Sequence, residues 1–331
     1  MTRTEACLIF NPASGQTDPE QDLATIRGIL EPSIDLDIRF TTMEVDADTI
    51  AKEAIAQGAN MIIASGGDGT LSAAACALVG TNIPIGVISR GTANAFASAL
   101  GLPDTIEAAC EIILGGATRV VDAARCNNRP MVLLAGIGFE AETVDRADRR
   151  AKDRFGVLAY MMAGIQQWRD LKSFEVEIET EDKVIKLTAA AVTVANAAPP
   201  TSILAQGSDG VNFDDGLLDI TVVAPLNKTG ALAASYHLLS TALNHNVAER
   251  DDIGYLRTRR AIVRTIPPQK VVVDGEIIGT TPIDVECVPK GLTVFVPLDV
   301  AEPAPIEKLA GLPDLTVELK PVAGFEDLSS D

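Results

Sequence analysis

Three short turns hold the residues with the most chemical promise: Asn11-Pro12-Ala13-Ser14-Gly15, Ser65-Gly66-Gly67-Asp68-Gly69-Thr70 and Ser89-Arg90-Gly91-Thr92-Ala93-Asn94. Each follows an apolar run, and the second and third open directly into segments of helical spacing. Glycine lets a backbone approach a phosphate closely, and the helix that follows offers unpaired N–H groups and the positive end of its dipole. Asp68 is an odd choice for a loop that only cradles anions, because a carboxylate repels them; its presence points to a bridging magnesium ion. The spacing suits equally a tight strand-to-helix turn in which Asp68 caps the helix, since short glycine motifs recur without a ligand. Three such turns at the carboxyl ends of strands in one unit tip the balance toward a nucleotide site, because an α/β sheet brings those ends to one edge.

Two acidic clusters follow, Asp214-Asp215-Gly216-Leu217-Leu218-Asp219 and Val273-Asp274-Gly275-Glu276. Asp-Gly is a strong hairpin signal, so the second cluster reads as a turn between 271–273 and 276–278 that presents Glu276. A carboxylate beside an alcohol can take its proton as a P–O bond forms, which is worth roughly 10²–10⁴ in rate. Phosphoryl transfer otherwise needs alignment and charge neutralisation rather than a covalent nucleophile. The Asp214-Asp215-Gly216 segment fits a metal site and a turn before a strand about equally.

The elements that must carry these turns are legible as hydrophobic periodicity. Residues 6–10, 34–40, 61–64 and 83–88 read as strands, and 21–30, the segment capped by Asp46, 71–79 and 104–114 as helices. This βαβ alternation predicts a doubly wound α/β domain over residues 1–122 with a mostly parallel sheet. Beyond it, strands are expected at 119–126, 130–135, 174–178, 187–195, 217–224, 261–266, 271–273, 283–288 and 292–296, so residues 123–299 form a β-rich, sandwich-like second domain. Helices are expected at 142–152, 156–170 and 228–243.

Asn11-Pro12-x-Ser14-Gly15, Gly66-Gly67-Asp68-Gly69-Thr70, Gly91-Thr92-x-Asn94, Asp214-Asp215-Gly216 and Asp274-Gly275-Glu276, in this order, resemble the signature of the diacylglycerol and sphingosine kinase catalytic family. The glycine-rich loop alone also occurs in NAD kinases and phosphofructokinases, whose fold the first domain then resembles; the five motifs together are specific. The resemblance implies an ATP- and magnesium-dependent lipid kinase that phosphorylates a diacylglycerol-like or sphingoid-like hydroxyl. It assigns Asn11, Pro12, Ala13, Ser14, Gly15, Thr42, Gly66, Gly67, Asp68, Gly69, Thr70, Thr92 and Asn94 to ATP, with Asp68 beside the phosphates and magnesium. It makes Glu276 the general base, and gives a further metal the Asp215 carboxylate and the main-chain carbonyls of Asn212 and Leu217. It also implies that residues 300–322 pack back on the first domain. Where the family has an aspartate after Asn94 this chain has Ala95, and Asp122 matches another acid of the same network. An NAD or sugar kinase sharing the glycine loop would not explain the two later motifs; a relative that binds nucleotide or lipid without catalysis would explain Ala95.

Composition narrows the field further. With 27 Lys and Arg against 46 Asp and Glu, the net charge of −19 repels nucleic acid, so no nucleic-acid partner is expected. Five scattered cysteines without metal or redox spacing read as free thiols in a reducing cytoplasm. No apolar stretch is long enough to span a bilayer, so a lipid substrate is met by transient association at the membrane surface; a homodimer is compatible with the sequence. Gly136-Ile137-Gly138 imitates a dinucleotide fingerprint but sits at the domain junction and reads as a close-packed turn. His237 and His245 have no clustered partner and are not expected to bind metal. The tail from Glu302 holds seven acids against two lysines, and residues 323–331 are expected to be disordered.

Overall fold

The computed structural model describes residues 4–15, 17–138, 173–199, 202, 205, 211–224 and 253–297. The helices expected at 142–152, 156–170 and 228–243, both histidines and the acidic tail lie outside the described residues. The first half alternates strand and helix: β1 (Thr4–Phe10), α1 (Pro19–Leu30), β2 (Ile34–Phe40), α2 (Ala47–Ala56), β3 (Ile62–Gly66), α3 (Asp68–Leu78), β4 (Ile85–Ser89), the short α4 (Ala95–Ala99) and α5 (Ile106–Gly115). Twelve more strands follow among the described residues: β5 (Thr118–Cys126), β6 (Arg129–Met131), β7 (Leu134–Gly138), β8 (Phe174–Glu179), β9 (Val184–Ala189), β10 (Ala191–Ala195), β11 (Leu218–Val223), β12 (Ile253–Thr258), β13 (Arg260–Ile266), β14 (Lys270–Val273), β15 (Glu276–Thr280) and β16 (Ile283–Phe295).

Strands β2-β1-β3-β4 pair in parallel, and the period-2 alternation of β1 shows why helices cover both faces. Cys7 and Ile9 join a core with α2 and α3, whereas Ala6, Leu8 and Phe10 join one with α1 and α5. Burying both faces keeps β1 from Ala6 onward, β3 and β4 free of charge, whereas β2 at the sheet edge alternates apolar with charged residues. The helix starts are set locally. Asp18 accepts from the Glu20 N–H with Pro19 in the first turn, Asp46 accepts from the Thr49 N–H at 2.8 Å, and Thr105 does so from Ala108. Helix α3 differs: Gly67 stands at its N-cap and no side chain caps it.

The parallel sheet continues through β16 into β13, β8 and β9, while β5 pairs with β16 and β6, giving a ten-stranded sheet among the described residues. A second sheet, ordered β12-β11-β10-β7-β14-β15, is antiparallel throughout. Its apolar side meets β8, β13 and β16 in a shared core that includes Ile137, Val192, Ile220, Val271, Ile178, Val263 and Val285. This is the sandwich the alternating strands predict. Gly136 to Gly138 lie in β7 rather than in a turn. A side chain on Gly138 would meet the Ala190 carbonyl and the Phe174 ring at 2.7 Å, so close packing demands the glycine there.

Candidate functional site

Parallel register brings the three glycine turns together. The Asn11 N–H donates to the Ser65 carbonyl at 2.9 Å and the Arg90 N–H to the Gly66 carbonyl at 2.8 Å, so each strand exit is tied to its neighbour. Gly67 is the meeting point: a side chain there would start 3.6 Å from the Gly91 α-carbon and 3.7 Å from Ser14 Oγ. A methyl group on Gly91 would lie 2.9 Å from the Gly67 α-carbon, so only glycine permits that approach. Asn11 Nδ2 donates to Thr70 Oγ1 at 2.8 Å, fixing the first turn against the first turn of α3. Pro12, Ala13, Gly15, Gly69 and Thr92 are exposed around this junction. Thr42, also exposed, is spent on its own loop, where its hydroxyl oxygen accepts the N–H groups of Glu44 and Val45.

Asp68 does cap a helix, but not its own. Its Oδ1 accepts the main-chain N–H of Ala95, so the carboxylate crosses from the start of α3 to the start of α4 and holds the third turn in place. Asn94, just before, sits in the left-handed region at φ 48°, and its buried Oδ1 has no hydrogen-bond partner. Burial pushes the Asp68 carboxyl up from its ordinary value, against the N–H groups of residues 94–96 that pull it down. A carboxylate disfavoured by burial is one that a cation would stabilise, so a magnesium ion fits this position in charge. Ala95 supplies only its N–H here.

Asp122, matched by the resemblance to the acidic network, holds main chain here. Its Oδ2 accepts the Gly216 N–H at 2.6 Å and its Oδ1 the Lys290 N–H at 2.7 Å, so both oxygens hold main chain of the Asp214-Asp215-Gly216 segment and of β16. In that segment Asp214 pairs with Arg119, and Asp215 Oδ1 accepts the Leu217 N–H at 3.0 Å while its Oδ2 lies 3.8 Å from Arg257. Asn212 Oδ1 faces the Asp214 N–H at 3.4 Å. Buried Asp219 takes Arg257 Nε on Oδ1, and its Oδ2 has no hydrogen-bond partner. An orphaned buried carboxylate oxygen beside Asp215 is compatible with a cation at this loop. Its remaining ligands would be main-chain oxygens and water, because among the described residues no three His, Cys, Asp or Glu side chains gather in metal-binding geometry.

Asp274 and Gly275 form the tight turn between β14 and β15, with φ of 48° and 87°. The turn is clasped from behind. Asp274 Oδ2 accepts the Val132 N–H at 2.8 Å, and Oδ1 those of Leu133 and Leu134 at 2.9 and 3.0 Å. Burial nevertheless raises this carboxyl to about 6, outweighing the three donors. Oδ2 also lies 3.9 Å from the Cys76 thiol of α3, the helix that begins at Asp68. Eight residues of helix span roughly 12 Å, so the hairpin meets the flank of the helix whose start forms the glycine turn. Exposed Glu276 at the head of β15 pairs with Arg129. Asp68 and Glu276 are therefore linked through α3 without touching.

Sequence reading singled out neither Arg90, which lies inside a motif otherwise recognised by its glycines, nor Arg129, which is adjacent to Glu276 only through strand pairing. The clasp on Asp274 was equally hidden, since its donors are main chain some 140 positions away. All five cysteines are free, as expected. Burial raises their thiols, Cys7 to about 11 and Cys110, Cys126 and Cys287 to about 12, which disfavours the thiolate form. Among the described residues no helix is long and apolar enough to cross a membrane.

Comparison with known proteins agrees with this arrangement. The family model described as the diacylglycerol kinase catalytic domain matches residues 5–126, and the YegS C-terminal NAD kinase beta sandwich-like domain matches residues 134–296. A diacylglycerol kinase of Bacillus subtilis (strain 168) is 30% identical over 303 residues, covering 90% of this chain and 98% of the relative. An uncharacterized protein of Synechocystis sp. is 49% identical, covering 88% of this chain and 70% of its own. A crystal structure of a diacylglycerol kinase from Bacillus anthracis str. Sterne superposes with a TM-score of 0.74 at 28% identity, over 90% of this chain and 99% of that one. Two tandem family matches, in the order and at the boundaries of the α/β and sandwich halves, and a relative matched over nearly its whole length leave one conclusion: the chain belongs to the diacylglycerol kinase family of lipid kinases.

Proposed function

We propose that the protein transfers the terminal phosphoryl group of ATP to the hydroxyl of a lipid, with the nucleotide on the part formed by residues 1–122 and the lipid on that formed by 123–299. The observation that carries this reading is the convergence of three glycine turns at Gly67, beside an α3 N-terminus that no side chain caps. Such a helix start offers N–H groups and a positive dipole end to the phosphates. Asn11 to Gly15, Gly66 to Thr70, Thr92 and Asn94 would line the phosphates, with Thr42 at the neighbouring strand exit. Magnesium, held at Asp68 and with a structural counterpart at Asn212, Asp215 and Leu217, would neutralise phosphate charge.

Glu276 takes the proton of the lipid hydroxyl while the lipid oxygen bonds to the γ-phosphorus and the bond from that phosphorus to ADP breaks. Its exposure lets an alcohol reach it, and the ion pair with Arg129 directs the carboxylate before substrate arrives. The Asp274 clasp fixes the turn that presents it. The lipid is met at the surface of a membrane by a protein that visits it from the cytoplasm. Incubation with γ-labelled ATP and a total lipid extract tests this: the label is expected in an organic-soluble product. Label in a water-soluble metabolite would favour an NAD or sugar kinase instead, and nucleotide binding without turnover a non-catalytic relative.

A further inference from the structure

Arg90 is the most deeply buried cation at the three-turn junction. Its side chain is 2% exposed. Nε donates to Asp22 Oδ2 at 2.7 Å, Nη1 donates to the Asn11 carbonyl at 2.9 Å, and the guanidinium stacks over the Phe10 ring at 4.3 Å. Nη2 is buried as well and has no hydrogen-bond partner. A guanidinium cannot shed its proton, so this donor carries the full cost of an unmade charged hydrogen bond, a situation native structures rarely tolerate. An aliphatic side chain would pack on Phe10 without that cost.

The group against Nη2 is Gly15. This residue has φ +100°, and a side chain on it would begin 3.3 Å from Nη2. The orphaned donor thus lies under the one position of the Asn11–Gly15 turn that lacks a side chain. Asp22, which also accepts the Thr17 hydroxyl at 2.8 Å, explains Nε but leaves Nη2 unexplained.

We infer that Arg90 is a phosphate-binding residue of this site, its Nη2 donating to a phosphate oxygen seated over Gly15; the inference rests on the reading of the three turns as a nucleotide site. Asp22, the Asn11 carbonyl and Phe10 lock the planar fork in advance, so little side-chain freedom is lost when the anion arrives. The ligand class is a nucleoside di- or triphosphate, and the contribution is to the phosphates rather than to the base.

Equilibrium binding of ATP, ADP and adenosine to the wild type, Arg90→Met and Arg90→Lys tests it. Arg90→Met is expected to weaken ATP and ADP by about 10- to 100-fold while adenosine changes less than about twofold, and Arg90→Lys recovers part of the loss. Equal losses for adenosine and ATP would show a merely structural arginine, and unchanged ATP affinity would show no contact; either overturns the inference. A wild type that binds no ATP overturns the nucleotide reading itself, and is seen before any substitution is made. Should Arg90→Met not fold, Gly15→Ala leaves the arginine itself in place and sets a methyl group 3.3 Å from Nη2. It is expected to weaken ATP selectively, and full ATP affinity in that variant contradicts the inference.

Discussion

Asp68 and Asp274 are both carboxylates claimed by main-chain N–H groups, and the difference between them lies in what each holds still. Asp68 holds the third turn through Ala95, and Asp274 holds the turn that presents Glu276. The residue types were legible because aspartate before glycine has few uses; the partners were not, because main-chain donors leave no trace in composition. Ala95 illustrates the limit. It reads as one carboxylate fewer in an acidic network, and only the fold reveals that its N–H is the group Asp68 accepts and that Asp122 holds main chain of two other segments. The Asp274 clasp has a consequence in pH. Its carboxyl is raised to about 6 in the fold from an ordinary 3.8, so its contribution to stability is largest below pH 4 and is lost as pH rises through 6. Across that window the stability of the wild type relative to Asp274→Asn is expected to fall by about 3 kcal/mol, read from urea unfolding at a series of pH values. A difference that does not vary with pH would contradict the assigned titration.

At the level of elements, periodicity located most strands and helices to within a few residues, because β1, β3 and β4 carry buried runs without charge and the helices carry Asp18, Asp46 and Thr105 at their starts. Strand β12 escaped, since Ile253-Gly254-Tyr255-Leu256-Arg257-Thr258 has no clean alternation. Residues 283–288 and 292–296 read as two strands but form one, β16, whose register shifts between Val288 and Leu292. The bulge at Lys290 separates the two runs, and its N–H is satisfied by Asp122 from across the chain. Convergence of the glycine turns is the element-scale claim most open to test. Gly91→Ala would place a methyl group 2.9 Å from the Gly67 α-carbon and push two turns apart. ATP affinity is expected to drop at least about tenfold, with thermal stability lowered by only about 1–3 kcal/mol. Undiminished ATP binding in a calorimetric titration would show that the turns need not touch.

Across the whole molecule, β16 matters most, because it joins the parallel sheet at β4 and the sandwich at β13. The sequence boundary expected near residue 122 falls within β5, which lies along β16 for most of its length. That continuity was illegible: its pairings join residues about 170 positions apart, and periodicity carries no information on partners. Asp122 spans the same joint, so Asp122→Ala leaves two main-chain N–H groups without acceptors and is expected to cost roughly 2–5 kcal/mol in chemical denaturation. A loss under about 1 kcal/mol would mean that water replaces both bonds. The net charge of −19 adds a functional expectation. Turnover on vesicles at low salt should fall as their anionic lipid fraction rises, and 0.15 M salt should relieve it, since the Debye length is then about 8 Å. The central claim, that Glu276 deprotonates a lipid hydroxyl for attack on a nucleotide held at the three turns, is tested most directly by Glu276→Gln assayed with γ-labelled ATP and lipid. Transfer to lipid is expected to drop by about 10²-fold or more while the ATP dissociation constant stays within about twofold; transfer at the wild-type rate, or loss of ATP binding in step with activity, would contradict it.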